Sequence, residues 1–206
     1  MKKLLFLAVI SMLFAVNAAA QTTKSGTIDG INWTYNIQSH TLTLSGSGAL
    51  PDYTAYTIYD HYFRTDENAL IEEEDYIMDV VENIIIEGDI NTIGTYYFYG
   101  ARKLKTLTLS ENVTAIKEKA FNFCTSLNTI YGSINDNIEV ASDAFLGCKF
   151  LKNNNGILVM GNTLVVADPT FNVENITIPS NVTKIKSQAF KNYQSLQTIT
   201  IGDNLT

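Results

Sequence analysis

Two stretches of this chain decide its architecture. Leu107 to Leu127 reads LTLSENVTAIKEKAFNFCTSL, and Ile176 to Leu196 reads ITIPSNVTKIKSQAFKNYQSL. Ten of the 21 positions are identical, and Leu107 and Leu109 are answered by Ile176 and Ile178. The offset is 69 residues, three times 23. A fixed period of this size marks stacked repeats, in which each unit needs its neighbours to bury its apolar side.

The same landmarks recur around these stretches. One period earlier stand Ile84 and Ile86, then Ile93, Tyr97-Phe98 and Leu104. One unit later come Ile130, Val140, Ala144-Phe145, Cys148 and Leu151, with one extra residue and with Gly132 in place of the second strand apolar. Gln197 to Ile201 opens another strand, Ile201 lying four periods beyond Leu109. Within a unit, Leu107 and Leu109 point inward and Thr106 and Thr108 outward. Asn112-Val113-Thr114 makes a turn. Ile116, Ala120 and Phe121 are spaced so that one helical or 3-10 turn buries them together.

From Lys152 to Asn175 the Ala-Phe landmark is missing. Ile157–Met160 and Thr163–Ala167 read there as two strands about Gly161-Asn162, and Asp168-Pro169 closes the piece. Phe190 returns 69 residues after Phe121, so a hairpin coil at 152–175 replaces one unit and keeps the phase. Thr206 corresponds to Thr114, part-way through a coil, so a fragment of a longer repeat protein is expected.

Residues 1–20 read as a cleaved signal peptide. Lys2 and Lys3 precede the apolar run Leu4 to Val16, and Ala18-Ala19-Ala20 offers an A-x-A site. No later stretch is long and apolar enough to span a bilayer. Residues 21–79 read as a small antiparallel β module with an acidic insert. Asp29-Gly30 is a two-residue hairpin signal, Trp33, Tyr35 and Ile37 alternate with polar residues, and Thr41 to Leu44 is a third strand. Ser45-Gly46-Ser47-Gly48 is expected to close it as a turn. The repeat array occupies 80–206.

The full chain carries 14 basic and 21 acidic residues, and removing Lys2 and Lys3 leaves a net charge of −9. Such a chain is a poor partner for nucleic acid. Asp66 to Asp89 holds ten carboxylates and no Lys or Arg. Its densest run, Glu72-Glu73-Glu74-Asp75, lacks the ligand spacing and turn glycine of a calcium loop, so no metal is assigned to it. Cys124 and Cys148 each follow a phenylalanine by three residues, a phase filled by Ala101 and Tyr193 in other coils. They read as free, buried fillers. The two histidines, His40 and His61, join no nucleophile elbow, phosphate loop or zinc motif. No enzyme activity and no cofactor are expected.

The order of strand apolar pair, Asn-Val-Thr, Ile, Ala-Phe, Cys and Ser-Leu at a 23-residue period resembles the BspA-like leucine-rich repeat family. The stretch from Ser25-Gly26-Thr27 through Trp33-Thr34 to Leu42–Tyr53 resembles the β module that often precedes such repeats. The resemblance implies a leucine-rich-repeat solenoid of parallel strands with short helical or 3-10 turns, preceded by a small antiparallel β module. It also implies an exported bacterial cell-surface or secreted protein, extracellular in location. The family's best-known members adhere to host matrix proteins and other bacteria.

The outward strand rows are the candidate partner-binding surface: Ile85, Thr108, Tyr131, Thr177 and Thr200, flanked by Thr106, Thr129 and Thr198. Small polar groups with one tyrosine suit an extended contact with an extracellular protein, either host matrix or bacterial. Two alternatives stand beside it. In one, Trp33 and the tyrosines between Tyr53 and Tyr76 stack on a glycan. In the other, the repeats are a spacer that projects a missing C-terminal domain.

Overall fold

The structure, a computed structural model, describes residues 22–54, 77–132 and 138–205. The leader at 1–20 and residues 55–76 of the insert lie outside the described residues.

The N-terminal hairpin follows from its turn. Asp29 and Gly30 take φ of 51° and 80°, the left-handed pair that a tight two-residue turn requires. Strand β1 (Thr23–Ile28) therefore pairs antiparallel with β2 (Ile31–Asn36), which pairs antiparallel with β3 (Thr41–Ser45). In β2 the side chains of Ile31, Trp33 and Tyr35 are buried while Asn32 and Thr34 are exposed. The next strand, β5 (Asn83–Ile86), pairs parallel with β3, setting Leu42 against Ile84 and Leu44 against Ile86. The module thus joins the repeats edge to edge. Strands β7 (Thr106–Thr108) and β9 (Thr129–Tyr131) continue the same sheet, in the order β1-β2-β3-β5-β7-β9.

A second parallel sheet runs along the return path of each coil. It contains β4 (Ser47–Ala49), β6 (Asp89–Ile93), β8 (Ala115–Ile116) and β10 (Glu139–Val140). Ser47 and Gly48, expected in a closing turn, instead belong to its first strand. The short helix α1 (Ile77–Val80) leads into β5 and buries Ile77 and Met78. Ile116, Ala120 and Phe121 are buried together, but without a helix. Ala120, Asn122 and Cys124 each donate N–H to the carbonyl three residues back, the 3-10 pattern. Between these turns the backbone bonds outward: Phe98 N–H reaches Ala120 O and Phe121 N–H reaches Ala144 O, both at 2.8 Å. Tyr96 and Lys119, at one repeat phase, take φ of 58° and 55°, and left-handed residues end helical runs. Hydrogen bonds between coils therefore replace those of a helix.

The core is a ladder. The rings of Phe98 and Phe121 stack with centroids 5.1 Å apart, and so do those of Phe121 and Phe145. Phe150, in helix α2 (Lys149–Asn153), ends the ladder edge-on to Phe145 at 5.6 Å. Beside it both cysteines are free and buried. The Cys124 thiol lies 3.2 Å from Phe98 O and the Cys148 thiol 3.3 Å from Phe121 O, each one coil back. Burial holds the Cys148 thiol far above its ordinary pKa.

After α2 the pattern changes. Strands β11 (Ile157–Met160) and β12 (Thr163–Ala167) form a hairpin about Gly161 and Asn162. All five residues of β12 are buried, because the hairpin separates two cores. Leu158, Met160 and Val166 pack with the N-terminal stack, while Ile157, Leu164 and Ala167 pack with the C-terminal one. Asp168 then caps a 3-10 turn (Pro169–Phe171), its Oδ1 accepting from the N–H and Oγ1 of Thr170. The last strands are β13 (Asn175–Thr177), β14 (Lys184–Ile185) and β15 (Thr198–Thr200). β12 pairs parallel with β14 and so supplies a return-path strand. It supplies none to the first sheet. Among the described residues, β9 ends the six-stranded sheet and β13 pairs with β15 alone.

Candidate binding surface

Register turns the outward side chains of the first sheet into two rows. Thr34, Thr43, Ile85, Thr108 and Tyr131 form one, and Asn36, Thr41, Asn83, Thr106 and Thr129 the other. These positions face outward because their neighbours Leu42, Ile84, Leu107 and Ile130 point toward the core. Thr106 Oγ1 donates to Asn83 Oδ1 at 2.7 Å, one coil earlier. At one rim Lys105 pairs with Glu82 at 2.7 Å. That contact draws the Glu82 carboxyl below the usual range.

Tyr131 terminates the first row with 55% of its surface exposed. The residue after it explains why the repeat departs from its pattern there. Gly132 has φ of 111°, and a Cβ on it would lie 1.9 Å from Leu109 O. Only glycine lets the chain turn off the sheet so close to the preceding coil.

Of the eight residues singled out from sequence, Ile85, Thr106, Thr108, Thr129 and Tyr131 share the six-stranded sheet. Thr177, Thr198 and Thr200 lie exposed on the two-stranded sheet, with Thr177 opposite Thr200 and Thr198 bonded to Asn175 Oδ1. The two groups lie on separate hydrogen-bonded sheets. Between the hairpin strand β11 and the two-stranded sheet opens a cleft of about 410 Å³, lined by Asn154, Asn155, Ile157, Val159, Asn175, Ile176, Thr177 and Pro179. Sequence reasoning missed this cleft. It also missed the asparagines Asn83 and Asn175, although each precedes its threonine partner by one 23-residue period.

Trp33 cannot stack on a sugar. It alternates inward along β2 and keeps only 8% of its surface exposed. Tyr53 stacks on Tyr97 at 5.3 Å and donates its hydroxyl to Asp29 Oδ2 at 2.7 Å. Burial raises its phenol pKa. Tyr56, Tyr59, Tyr62 and Tyr76 lie outside the described residues. Besides Tyr131, aromatic residues reach solvent on the turn side of the coils. Phe123 is 51% exposed and meets Tyr99 edge-on at 5.6 Å, and Tyr99 in turn packs on Tyr96. His40 is engaged with Tyr35, its Nδ1 lying 2.9 Å from the hydroxyl. Among the described residues no group of three His, Cys, Asp or Glu is gathered to hold a metal, and no helix is long and apolar enough to cross a membrane.

Residues 71–156 and 168–206, more than half of the chain, match the BspA type leucine rich repeat region in six copies. The chain belongs to this family. The family match skips residues 157–167, where the hairpin stands in for a repeat. Among solved structures, a leucine-rich repeat protein from Eubacterium ventriosum is 16% identical, with a TM-score of 0.47 over 89% of this chain and 61% of that one. The Treponema pallidum (T. pallidum) leucine-rich repeat protein is 16% identical, with a TM-score of 0.38 over 88% and 70%. A leucine rich cell surface protein from Faecalibacterium prausnitzii is 17% identical, with a TM-score of 0.28 over 88% and 55%. The chain thus spans less than two thirds of the Eubacterium protein's length. No curated protein matches it.

Proposed function

We propose that this leucine-rich repeat protein is exported and acts at the bacterial cell surface or beyond it, binding an extracellular protein through the outward face of its six-stranded sheet. The observation that carries the reading is the unbroken pair of rows from Thr34 to Tyr131 and from Asn36 to Thr129, polar but for Ile85 and ending on an exposed tyrosine. Hydroxyls and amides at regular spacing, held on rigid strands, suit an extended protein contact, and a tyrosine at its edge supplies an anchor. The leader-like residues 1–20 support export. The partner is a host matrix protein or a surface protein of another bacterium. Binding is the whole of the activity in this reading, with no catalytic step and no cofactor.

The test is capture of the full chain on immobilised fibronectin, fibrinogen and mucin. Saturable binding to a protein ligand, weakened about tenfold by Tyr131→Ala, is the expected result. Absence of binding to all three would overturn adhesion to matrix.

A further inference from the structure

In sequence, a gap of one repeat separates the strands of the two sheets. Thr129 and Asn175 occupy the same phase and stand 46 residues apart, two periods of 23. One strand of the first sheet is therefore missing between β9 and β13, since the coil that would carry it has become α2 and the hairpin.

Among the described residues, both edges of the gap present backbone with no strand partner. In a parallel ladder, alternate residues direct their N–H and C=O to opposite sides. On β13, Glu174 O accepts from Gln197 and Thr198, and Ile178 N–H donates to Thr200 O. Residues 174, 176 and 178 thus bond toward β15, so Asn175 and Thr177 aim theirs into the gap. On β9, Thr129 N–H donates to Lys105 O and Tyr131 O accepts from Leu109 N–H, both toward β7. Ile130 then aims its backbone groups away from β7, and no described strand pairs with that edge. Beside β13 lies the 410 Å³ cleft, with apolar walls at Ile157, Val159 and Pro179 and amide side chains at Asn154, Asn155 and Asn175. Among the described residues, no charged residue lines it.

We propose that the cleft takes an extended segment of a partner protein, which adds as a parallel strand along β13 and fills the place of the missing repeat strand. The occupant is specified by its backbone: uncharged, without proline at the paired positions, and alternating small polar with aliphatic side chains. Strand addition of this kind draws its affinity from main-chain hydrogen bonds and its selectivity from alternate side chains. The proposal rests on the reading that the protein binds another protein, but it uses a different surface.

The probe is the blocked peptide Thr-Leu-Thr-Leu-Ser, the sequence of Thr106 to Ser110, which fills the equivalent place between β5 and β9 in the intact part of the stack. Added to the full chain at about 1 mM, a range suited to weak binding, it is expected to shift and protect from exchange the amides of Asn175 and Thr177. Methylating alternate peptide nitrogens, in each of the two alternations, should abolish the effect in one series. Thr177→Pro, which removes an N–H aimed at the gap and leaves the bonds to β15, should weaken binding about tenfold. Tyr131→Ala should leave it unchanged. Undisturbed amides at 175 and 177, or equal binding by both methylated series, would overturn the proposal. So would protection of these amides in the free chain that tracks dimer formation by light scattering, since a second copy would then be the occupant. Loss of peptide binding with matrix capture intact would refute this site alone, and the converse would refute only the sheet-face reading.

Discussion

The N-terminal and C-terminal stacks carry the same motif and bury it to different depths. In the first, Phe98, Phe121 and Phe145 are fully enclosed, and so are Leu107 and Ile84. In the second, Phe190 is half-buried, while Ile199 and Ile201, in the phase of Leu107 and Leu109, keep 39% and 52% of their surface exposed. The difference lies in neighbours rather than in residue type. Strands β5 and β7 of the first stack are paired on both sides, whereas β15 has a described strand on one side only. A repeat's stability is therefore shared with the coils next to it.

The most direct way to break this comparison is to truncate the same ring in both stacks. Phe121→Ala removes the middle of the three stacked rings and should cost about 3–5 kcal/mol. Phe190→Ala removes a ring that is already partly solvated and should cost roughly 1–2 kcal/mol. Urea unfolding of the two variants measures both. Equal losses would show that the second stack is packed as deeply as the first.

What could be read from the sequence tracks this same division. The repeat identified Phe98 and Phe121 and, after one extra residue, Phe145, but not Phe150, which ends the ladder outside that phase. The second parallel sheet was not legible. Ser47-Gly48-Ala49 has no apolar side chain to announce a strand, and Ala115-Ile116 is too short to show alternation. The position of the sheet break was hidden for another reason. Residues 152–175 have the length of one coil, so counting shows that phase is kept but not which sheet loses its strand. The outward rows were legible as single positions. Their division between two sheets was not, since it depends on β12 pairing with β14.

A smaller effect sharpens the comparison through charge. Both ion pairs among the described residues, Glu82 with Lys105 and Asp52 with Lys117, lie in the N-terminal stack. Asp52 ties the loop after β4 to a coil 65 residues on, accepting from Lys117 Nζ and from Thr95 N–H, each at 2.8 Å. The lysine contact, followed by the Thr95 bond, draws its carboxyl below the usual range. A depressed folded pKa contributes stability that is fully present above the unfolded value of about 3.9 and is lost as pH falls through the folded value. Both partners are about half exposed, so the contribution is about 0.5 kcal/mol and no more than about 1 kcal/mol. Asp52→Asn should lose this increment at pH 7 and show a shallower decline in stability below pH 4. Urea midpoints across that range measure it. A parent chain whose stability does not fall further than the variant's in acid would remove Asp52 as a staple.

The smallest effect is predicted two residues from the largest. Phe123 adopts φ of 61° at a phase where Gly100, Gly147 and Asn192 also take positive φ, so it holds a bulky side chain in a backbone region that favours glycine and asparagine. Relief of that conformation should return about 1–2 kcal/mol in Phe123→Gly. Against this stand the extra chain entropy of glycine, about 0.5–1 kcal/mol, and the lost edge contact with Tyr99, about 0.5–1.5 kcal/mol at most. The terms nearly cancel, and the melting curve should move by no more than about 0.5 kcal/mol in stability. A loss above about 2 kcal/mol would place Phe123 in the core with Phe121. A neutral result would leave an exposed ring that the stack does not need, on the face opposite the strands, where the C-terminal coil carries Asn192.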